Sequence, residues 1–279
     1  MDWGAEHRRD LPWRSRRDPW AVLVSEVMLQ QTQVDRVVPA YRAFLAAFPT
    51  VGDCARARPA EVLRLWSGLG YNRRGLNLHR AARAVVTEHG GSFPPGDADL
   101  RSLPGVGPYT ARAVRAFAFG ADVAAVDTNV VRVLSRCVAG APLTVATAQT
   151  MGDRLVPAGA SWEFNQTMFD LGATVCTPRP GCAGCPLRRQ CRWHAGGLTD
   201  PDPWRASPVA RRQAAFAGSD RQGRGRLLAA LVEGPVTRAR LAAACGWPGD
   251  EERADRISRS LVDEGFAEWR AGSDTLRLR

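Results

Sequence analysis

The sequence contains no lysine, so all 38 of its basic residues are arginine. Schiff-base catalysis needs a primary amine, and the lack of one on any side chain excludes lysine-based covalent chemistry. The arginines outnumber the 28 acidic residues, which gives a formal net charge of +10 and a pI of about 10.2. This balance predicts a polyanionic partner, nucleic acid before a membrane surface.

Long apolar segments are also missing. No run approaches the roughly 18 consecutive apolar residues that a membrane-spanning helix needs. The N-terminal stretch MDWGAEHRRDLPWR lacks the apolar core of a signal peptide. We therefore expect a cytoplasmic protein without a membrane partner.

Alternating β-branched residues are scarce over 11–140, where short amphipathic segments are separated by Gly, Pro or polar breaks. This pattern predicts an all-α core, continued by a second helical block over 144–176. Residues 196–216 lack periodicity and are rich in Pro, Gly, Asp and Arg, which is typical of a linker. Beyond it, three helical segments and a terminal hairpin over 217–279 predict a small winged-helix-like (α+β) module.

Four of the seven cysteines fall within the stretch CTPRPGCAGCPLRRQC, at Cys176, Cys182, Cys185 and Cys191. Disulfides are not expected in a cytosolic protein, and four thiolates at the spacing C-x5-C-x2-C-x5-C predict a metal site. Zinc and a [4Fe–4S] cluster both accept four sulfurs, and the spacing alone does not decide between them. The remaining cysteines are isolated and are interpreted as core residues: Cys54, Cys137 and Cys245.

Two carboxylates are candidates for acid–base chemistry. Glu26 lies within the apolar helical stretch WAVLVSEVMLQQTQV, so its side chain cannot simply face water. We expect a raised pKa there, as a general acid requires, although a salt-bridged core glutamate has the same pattern. Asp127 ends an apolar run in VAAVDTNVVRV, where it is either a helix N-cap or a fixed carboxylate that stabilises developing positive charge.

The stretch LPGVGPYTAR places Gly105 and Gly107 two residues apart, ahead of a helical segment. A packing turn needs only one glycine, whereas two let the backbone approach a ligand closely and direct several N–H groups at it. By itself such a turn is a weak signal, and its meaning depends on the motifs around it.

These motifs together resemble the helix-hairpin-helix DNA glycosylase superfamily. Within it, SEVMLQQTQ, GLGY, LPGVGPYTA and FNQTMFDLGATVC are similar to adenine DNA glycosylases of the MutY type, over about Asp10 to Cys191. The resemblance implies a six-helix lobe over about 14–121, an iron–sulfur lobe over 1–13 and 122–195, and a [4Fe–4S] cluster on the four cysteines. The implied activity is base excision repair: a monomer that acts on double-stranded DNA and removes adenine mispaired with 8-oxoguanine or guanine.

The resemblance also assigns catalytic roles. Glu26 matches the acid that protonates adenine at N7, and Asp127 matches the carboxylate that stabilises the oxocarbenium ion and helps direct water to C1′. Cleavage of a purine N-glycosidic bond independently calls for an acid and an anion of this kind. Tyr109 stands where bifunctional relatives carry a Schiff-base lysine, which implies a monofunctional glycosylase.

A second set of residues is implied to contact DNA. The Gly-Val-Gly turn would lay backbone N–H groups on a phosphate, Gln31 and Tyr71 would wedge into the base stack beside a flipped-out base, and Arg14 matches an adenine-pocket arginine. The rest of the implied set is Gly105, Val106, Gly107, Thr32 and Asn129.

Several features depart from the family pattern. The cluster spacing lacks one residue between Cys176 and Cys182. Thr128 replaces the commoner Gly, Asn72 replaces a frequent second Tyr, and the short N-terminus suggests a clipped first helix. The winged-helix-like module stands where the family usually has a Nudix-like domain that recognises 8-oxoguanine, so recognition of the opposite base is left open.

Other functions remain compatible with the sequence. The same scaffold would serve a glycosylase for thymine or uracil opposite guanine, or for hypoxanthine. A non-catalytic iron–sulfur DNA-binding protein is a rival of another class, but it has no use for both Glu26 and Asp127. The segment 251–264 carries arginines and acidic residues alike, so the C-terminal module is either a second duplex contact or a protein-interaction module.

Overall fold

The computed structural model describes residues 1–210 and 216–279, and helices dominate both ranges. The helices of the first range are α1 (Asp2–Glu6), α2 (Pro19–Leu29), α3 (Val34–Ala47), α4 (Val51–Arg56), α5 (Pro59–Trp66), α6 (Arg73–Glu88), α7 (Asp97–Ser102), α8 (Pro108–Ala118), α9 (Thr128–Val133), α10 (Val145–Leu155), α11 (Ser161–Asp170) and α12 (Arg192–Ala195). Short 3-10 turns form at Pro12–Ser15 and Cys182–Gly184, and π-helical turns continue α9 over Leu134–Ala139 and α11 over Leu171–Val175. The predicted all-α core is confirmed.

Helix boundaries follow local chemistry that periodicity alone does not resolve. The short helix α4 was not predicted; it begins with a capping box in which Thr50 Oγ1 accepts from Asp53 N at 3.2 Å and the Asp53 carboxylate accepts from Thr50 N at 3.0 Å. Helix α2 ends at Leu29, because Gln31 shortly after it adopts a φ of +56°, which a right-handed helix does not allow.

The chain forms two compact units. The first comprises Met1–Leu23, Pro94–Ser102 and Val106–Arg212, and its apolar core gathers α9, α10, α11 and both π-helical turns, with Val130, Leu134 and Leu171 at most 2% exposed. The second comprises Val24–Phe93, Leu103–Gly105 and Gln213–Arg279.

In the second unit, α5 and α6 pack closely. A Cβ on Gly75 of α6 would lie 2.8 Å from the Trp66 ring, so only glycine lets the two helices approach this far. Trp66 is fully buried and meets Phe44 of α3 edge to face, with ring centroids 6.2 Å apart. This packing fixes the position of α6, the helix that begins two residues after the candidate site residue Tyr71.

The C-terminal module also belongs to the second unit. It contains helices α13 (Asp220–Glu233), α14 (Leu241–Cys245) and α15 (Glu251–Asp263), with a 3-10 turn at Arg238–Arg240 and strands β1 (Val236–Thr237), β2 (Ala267–Trp269) and β3 (Thr275–Leu278). The strands form an antiparallel sheet in the order β1-β3-β2, with Val236 opposite Leu276 and Trp269 also opposite Leu276. The predicted three helices and terminal hairpin are therefore present, with one further short strand.

The module shares an apolar core with α5 and α6. Leu63 and Leu76 of these helices are buried in one cluster with Leu227, Leu261 and other residues of the module. A polar contact supports it, because the Glu264 carboxylate accepts from Arg73 Nε at 3.0 Å. The predicted domain boundaries separate this module from the core; those boundaries stay a prediction.

Part of the predicted linker 196–216 belongs to the first unit and is held there by polar contacts. The Asp202 carboxylate accepts from Arg136 at 2.9 and 2.6 Å, and Ser207 Oγ donates to the carbonyl of Leu143 at 2.9 Å. Individual polar contacts hold this stretch, which is why it shows no periodicity. Residues 211–215 of the predicted linker lie outside the described residues. Throughout residues 1–210 and 216–279, each helix is too short or too polar to span a bilayer.

Candidate active site and nucleic-acid interface

The Gly-Val-Gly turn connects α7 to α8 and is fixed by its neighbours. Leu103 and Val106 are buried, and Gly105 has a φ of +81°, which side chains rarely adopt. A Cβ on Gly105 would also lie 2.8 Å from the Asn77 Cβ. A Cβ on Gly107 would meet no atom within 4 Å, so the backbone at the N-terminus of the 11-residue helix α8 borders open space. The positive end of this helix dipole suits an anion such as a phosphate.

Tyr109 is the second residue of α8 and is half-buried. It follows Pro108, which begins the helix at a position where no backbone N–H is needed. A phenol at this position cannot form an imine with a sugar carbon.

Glu26 lies in the interior of α2 with 6% of its surface exposed. The helix around it is buried on all sides, including Trp20, Leu23 and Met28. Such a helix shields the carboxyl from bulk water, which is the environment that a neutral proton donor requires.

Asp127 is the N-cap of α9. Its Oδ1 accepts from Val130 N at 2.8 Å, and its Oδ2 accepts from Asn129 Nδ2 at 2.8 Å. Burial raises the pKa of the Asp127 carboxyl above its usual value, and the hydrogen bonds from Val130 and Asn129 oppose this rise. The capping and functional interpretations are thus compatible: the cap fixes the orientation of one carboxylate, and partial burial sets its proton affinity.

The environment of Asp127 continues to the first cysteine of the cluster stretch. Asn129 Oδ1 accepts from Arg132 Nη2 at 2.7 Å. The same guanidinium donates to the carbonyls of Gly172 at 2.7 Å and Cys176 at 2.6 Å. Arg132 is 4% exposed, and no pattern in the sequence distinguishes it from the other arginines.

Arg14 is engaged by a buried carboxylate. Its two terminal nitrogens donate to Asp170 at 2.7 and 2.8 Å, and Arg9 Nε donates to the same group at 2.5 Å. Burial opposes ionisation of Asp170, but the hydrogen bonds from Arg14 and Arg9 hold its pKa below the usual range. Arg14 Nε is buried and has no partner among the described residues, so a polar atom remains available for the predicted pocket role. Asp170 was not predicted; its position inside the FNQTMFDLGATVC motif was the only available signal.

Gln31 and Tyr71 lie in two loops of the second unit. Gln31 is in the α2–α3 loop (residues 30–33), and Tyr71 is in the α5–α6 loop (residues 67–72). Both residues have left-handed backbones, with φ values of +56° and +47°. Strain of this kind persists only where the surroundings enforce it, and it concentrates at functional sites. Tyr71 is 45% exposed, whereas Thr32 is buried and its Oγ1 donates to the carbonyl of Leu69 at 3.2 Å.

The four clustered cysteines line one cavity in the first unit, which is also walled by apolar residues and by Arg136 and Arg188. Cys176 follows the π-helical turn after α11, Cys182 begins the 3-10 turn, and Cys191 immediately precedes α12. Within residues 1–210 and 216–279, no three His, Cys, Asp or Glu side chains are arranged to hold a single metal ion.

The chemistry of this cavity fits a group bound by four thiolates. Arg136 Nη1 lies 3.7 Å from Cys176 Sγ and donates to the carbonyl of Thr177 at 2.6 Å, so a buried cation faces the thiols. Cys137 was interpreted as an isolated core residue; it is buried, but its side chain also lines the cavity. Burial raises the pKa of the Cys137 thiol to about 12, so it stays protonated at neutral pH.

Exposed arginines have different surroundings in the last cysteine loop and in the C-terminal module. Arg188, Arg189 and Arg192 are exposed in and beside the last cysteine loop. On α15, by contrast, Arg256 and Arg259 form ion pairs with acidic residues of the same helix, at 3.6 and 3.0 Å. The α15 arginines are therefore compensated within the module.

Comparison with known proteins defines the class. A family model described as HhH-GPD superfamily base excision DNA repair protein matches residues 24–151. A solved structure titled as that of a thermostable thymine-DNA glycosylase is 32% identical, with a TM-score of 0.66 over 70% of this chain and 93% of that chain. Fold and family model together indicate a base excision DNA repair protein of the helix-hairpin-helix type.

Curated relatives narrow the class. The chain is 44% identical to the adenine DNA glycosylase of Mycolicibacterium smegmatis, over 97% of this chain and 92% of that protein. It is 43% identical to the adenine DNA glycosylase of Mycobacterium tuberculosis, over 95% of this chain and 88% of that protein. The chain therefore belongs to the HhH-GPD superfamily and, within it, to the adenine DNA glycosylase family.

Proposed function

We propose that this protein is a monofunctional adenine DNA glycosylase that removes adenine mispaired with 8-oxoguanine or guanine. The structural observation that carries the proposal is the buried Glu26 in the interior of an apolar helix. The likeness to adenine DNA glycosylases over nearly the whole chain supports adenine as the base. We further infer a monomer that works in the cytoplasm, on nucleoid DNA.

In the proposed reaction, Glu26 acts as the acid and Asp127 acts as the anion. Glu26 protonates the leaving base, because a neutral adenine departs more readily than an adenine anion. Asp127 stabilises the positive charge that develops on the sugar and orients water towards C1′. The hydrogen bonds from Val130 and Asn129 keep the Asp127 carboxylate in one orientation before that charge forms.

DNA contacts are assigned to residues on separate elements. The turn Gly105–Val106–Gly107 binds a phosphate of the backbone, which positions the duplex without reading its sequence. Gln31 and Tyr71 enter the base stack, Thr32 supports them, and Asn129 and Arg14 contact the nucleotide.

A [4Fe–4S] cluster is proposed on Cys176, Cys182, Cys185 and Cys191. Its support is that these four thiols line one cavity together with the buried Arg136 cation. When bound, the cluster cross-links the loop from 176 to 191, whose exposed arginines Arg188 and Arg189 contact phosphates. We expect a brown protein with about four irons per chain after anaerobic purification; a colourless protein with one zinc would contradict the assignment.

Thymine opposite guanine is the alternative substrate with a specific observation in its favour, the 32% identity to a thymine-DNA glycosylase structure. A base-release assay separates the candidates. The enzyme is incubated with duplexes that pair adenine with 8-oxoguanine or guanine, or guanine with thymine or uracil, or that contain hypoxanthine. We expect release of adenine alone; release of thymine without adenine would reverse the assignment.

Absence of strand cleavage is a separate part of the proposal. An imine with C1′ needs an amine, and Tyr109 and the lysine-free sequence provide none on any side chain. After reaction with an adenine–8-oxoguanine duplex, one half of the sample goes directly to a denaturing gel and the other half is first heated in alkali. We expect broken strands only after alkali and no adduct trapped by borohydride. Nicking without alkali together with a stoichiometric adduct would contradict monofunctional chemistry.

A further inference from the structure

Arg74, in the first turn of α6, binds the end of helix α2. Its Nη1 donates to the carbonyls of Val27 at 2.7 Å and Met28 at 2.9 Å, and also to the carbonyl of Gln30. Carbonyls in the last turn of a helix lack partners within the helix, and a cation there also suits the helix dipole. One nitrogen of Arg74 thus satisfies the C-terminal end of α2 and reaches into the α2–α3 loop.

The other terminal nitrogen of Arg74 binds the α5–α6 loop. Nη2 donates to the carbonyls of Gly70 at 3.1 Å and Leu69 at 3.4 Å, and to Thr32 Oγ1 at 2.9 Å. Thr32 Oγ1 in turn donates to the carbonyl of Leu69. A single guanidinium therefore joins two loops that are about 40 residues apart in sequence.

Two of the carbonyls that Arg74 binds directly precede the residues with strained backbones. Gln30 C=O belongs to the peptide before Gln31, and Gly70 C=O belongs to the peptide before Tyr71. Both following residues have a positive φ. A residue other than glycine keeps this unfavourable conformation only where its surroundings enforce it. Relaxation of φ at either residue would rotate a peptide plane whose oxygen Arg74 fixes.

We propose that Arg74 is a positioning residue that holds Gln31 and Tyr71 in their left-handed conformations, so that both side chains are preset to enter the base stack. This inference rests on the proposed function of those two residues. Arg74 touches neither the base nor the sugar in this scheme; it acts through the two loops.

An arginine side chain is better suited than lysine or glutamine to hold two loops through their carbonyls. The guanidinium is a planar fork that can bind several carbonyls in fixed directions, whereas lysine is a point charge and glutamine has a single NH2 group. The guanidinium carbon also lies 5.5 Å from the Trp66 ring centroid and 5.6 Å from that of Tyr71. Burial lowers the pKa of Arg74 only to about 10, so the group remains a cation at neutral pH.

The test compares Arg74→Gln with Arg73→Gln in the full chain. Arg73 precedes Arg74 on α6, carries the same charge, and binds Glu264 instead of the loops. The probe is a duplex with 2-aminopurine opposite guanine, whose fluorescence rises when the base is unstacked. This readout requires no base release, so it reports unstacking separately from the chemical step. Single-turnover base release, affinity for an undamaged duplex and thermal unfolding are measured alongside it.

We expect Arg74→Gln to lose most of the fluorescence rise and about 100-fold in the single-turnover rate, because small misplacements have effects of this size. Affinity for the undamaged duplex should stay within about threefold, since phosphate contacts dominate it. Arg73→Gln should keep both signals. The proposal would be overturned if the two variants gave the same fluorescence rise. It would also be overturned if Arg74→Gln weakened binding to the undamaged duplex and to the 2-aminopurine duplex equally.

A second variant covers the case in which Arg74→Gln does not fold. Thr32→Val keeps the shape of the side chain but removes the acceptor for Arg74 Nη2 and the donor to Leu69. We expect a partial loss of the fluorescence rise, together with faster amide hydrogen exchange in residues 30–33 and 67–72 only. A folded Thr32→Val protein with a full fluorescence rise and unchanged exchange in both loops would overturn the proposal.

Discussion

The glycosylase core and the C-terminal module both depend on arginine, but they use it in different surroundings. In the core, Arg136 and Asp202 form an ion pair with side chains only 1% and 8% exposed. In the module, Arg256 and Glu252 form one with side chains 54% and 89% exposed. Buried pairs leave an uncompensated charge when one partner is removed, whereas exposed pairs contribute little because water and salt screen them.

The difference extends to what the guanidinium groups bind. Arg74 and Arg132 of the core donate mainly to backbone carbonyls. Arg136 divides its donors between two carbonyls and the buried Asp202 carboxylate. Arg238 and Arg277 of the module donate to the half-buried acidic side chains of Asp255 and Glu268. Arginines of the first kind fix loop conformation, and those of the second kind mainly balance charge. Paired substitutions in the two regions test this comparison.

The largest expected effect compares one carboxyl in each region. Glu26→Gln should lower base release by at least about 10²–10⁴-fold, because an amide of the same size cannot protonate the base. Duplex binding should survive, since Glu26 lies in the interior of an apolar helix. The matched change Glu252→Gln in the module should leave the rate unchanged. The measurement is single-turnover base release, and near-normal rates for Glu26→Gln would remove Glu26 from the mechanism.

The next effect is on stability. Arg136→Met should lower the free energy of unfolding by about 3–5 kcal/mol, because Asp202 would remain buried without its partner. Arg256→Met should lower it by no more than about 1 kcal/mol. Hydrogen bonds from Arg136 hold the pKa of Asp202 below its usual range against the effect of burial, so the stability contributed by this pair is lost only as the pH falls through that lowered pKa.

Chemical denaturation of both variants at neutral and acid pH provides the measurement. Iron content is determined in parallel, because Arg136 also faces the proposed cluster ligands. Equal destabilisation by the two substitutions would show that burial does not distinguish the two regions.

A smaller effect concerns the pH dependence of the rate. Asp127 acts as a carboxylate, so the rate should fall as the pH drops through its pKa, which burial raises above the usual value. Asn129→Leu removes a hydrogen bond to the charged form and should move this acid limb to higher pH, with a rate about 10-fold lower at the acid end. Each profile is normalised to its own neutral plateau, because Asn129 is also proposed to contact the nucleotide. An acid limb that stays in place would disconnect Asp127 from the profile.

The smallest effect is expected on α15. Arg256→Gln and Arg259→Gln should leave duplex affinity and its salt dependence nearly unchanged, because both arginines are paired within the helix. Arg189→Gln in the last cysteine loop should lower the affinity and reduce the salt slope by about 1. A reduced salt slope for the α15 variants would instead identify the module as a second duplex contact.

Much of the fold could be predicted because the signals are local. The periodicity of α6, the proline that begins α8 and the Gly-Val-Gly turn each depend on neighbours a few residues away. The capping box that begins α4 is also local, but a helix of only six residues is too short to show a clear apolar periodicity. The packing of residues 202–207 could not be predicted, because it depends on single contacts with Arg136 and Leu143, which are distant in sequence.

The sequence by itself determined the chemistry that is available: no amine for an imine, four thiols within one short loop, and a carboxyl within an apolar helix. Only the tertiary structure decided which of the 38 arginines matter and to what they bind. The physical reason is that an arginine has the same composition and charge wherever it stands, whereas its effect depends on burial and on the direction of its donors. Both the burial of an arginine and the direction of its donors are set by residues that are far away along the chain.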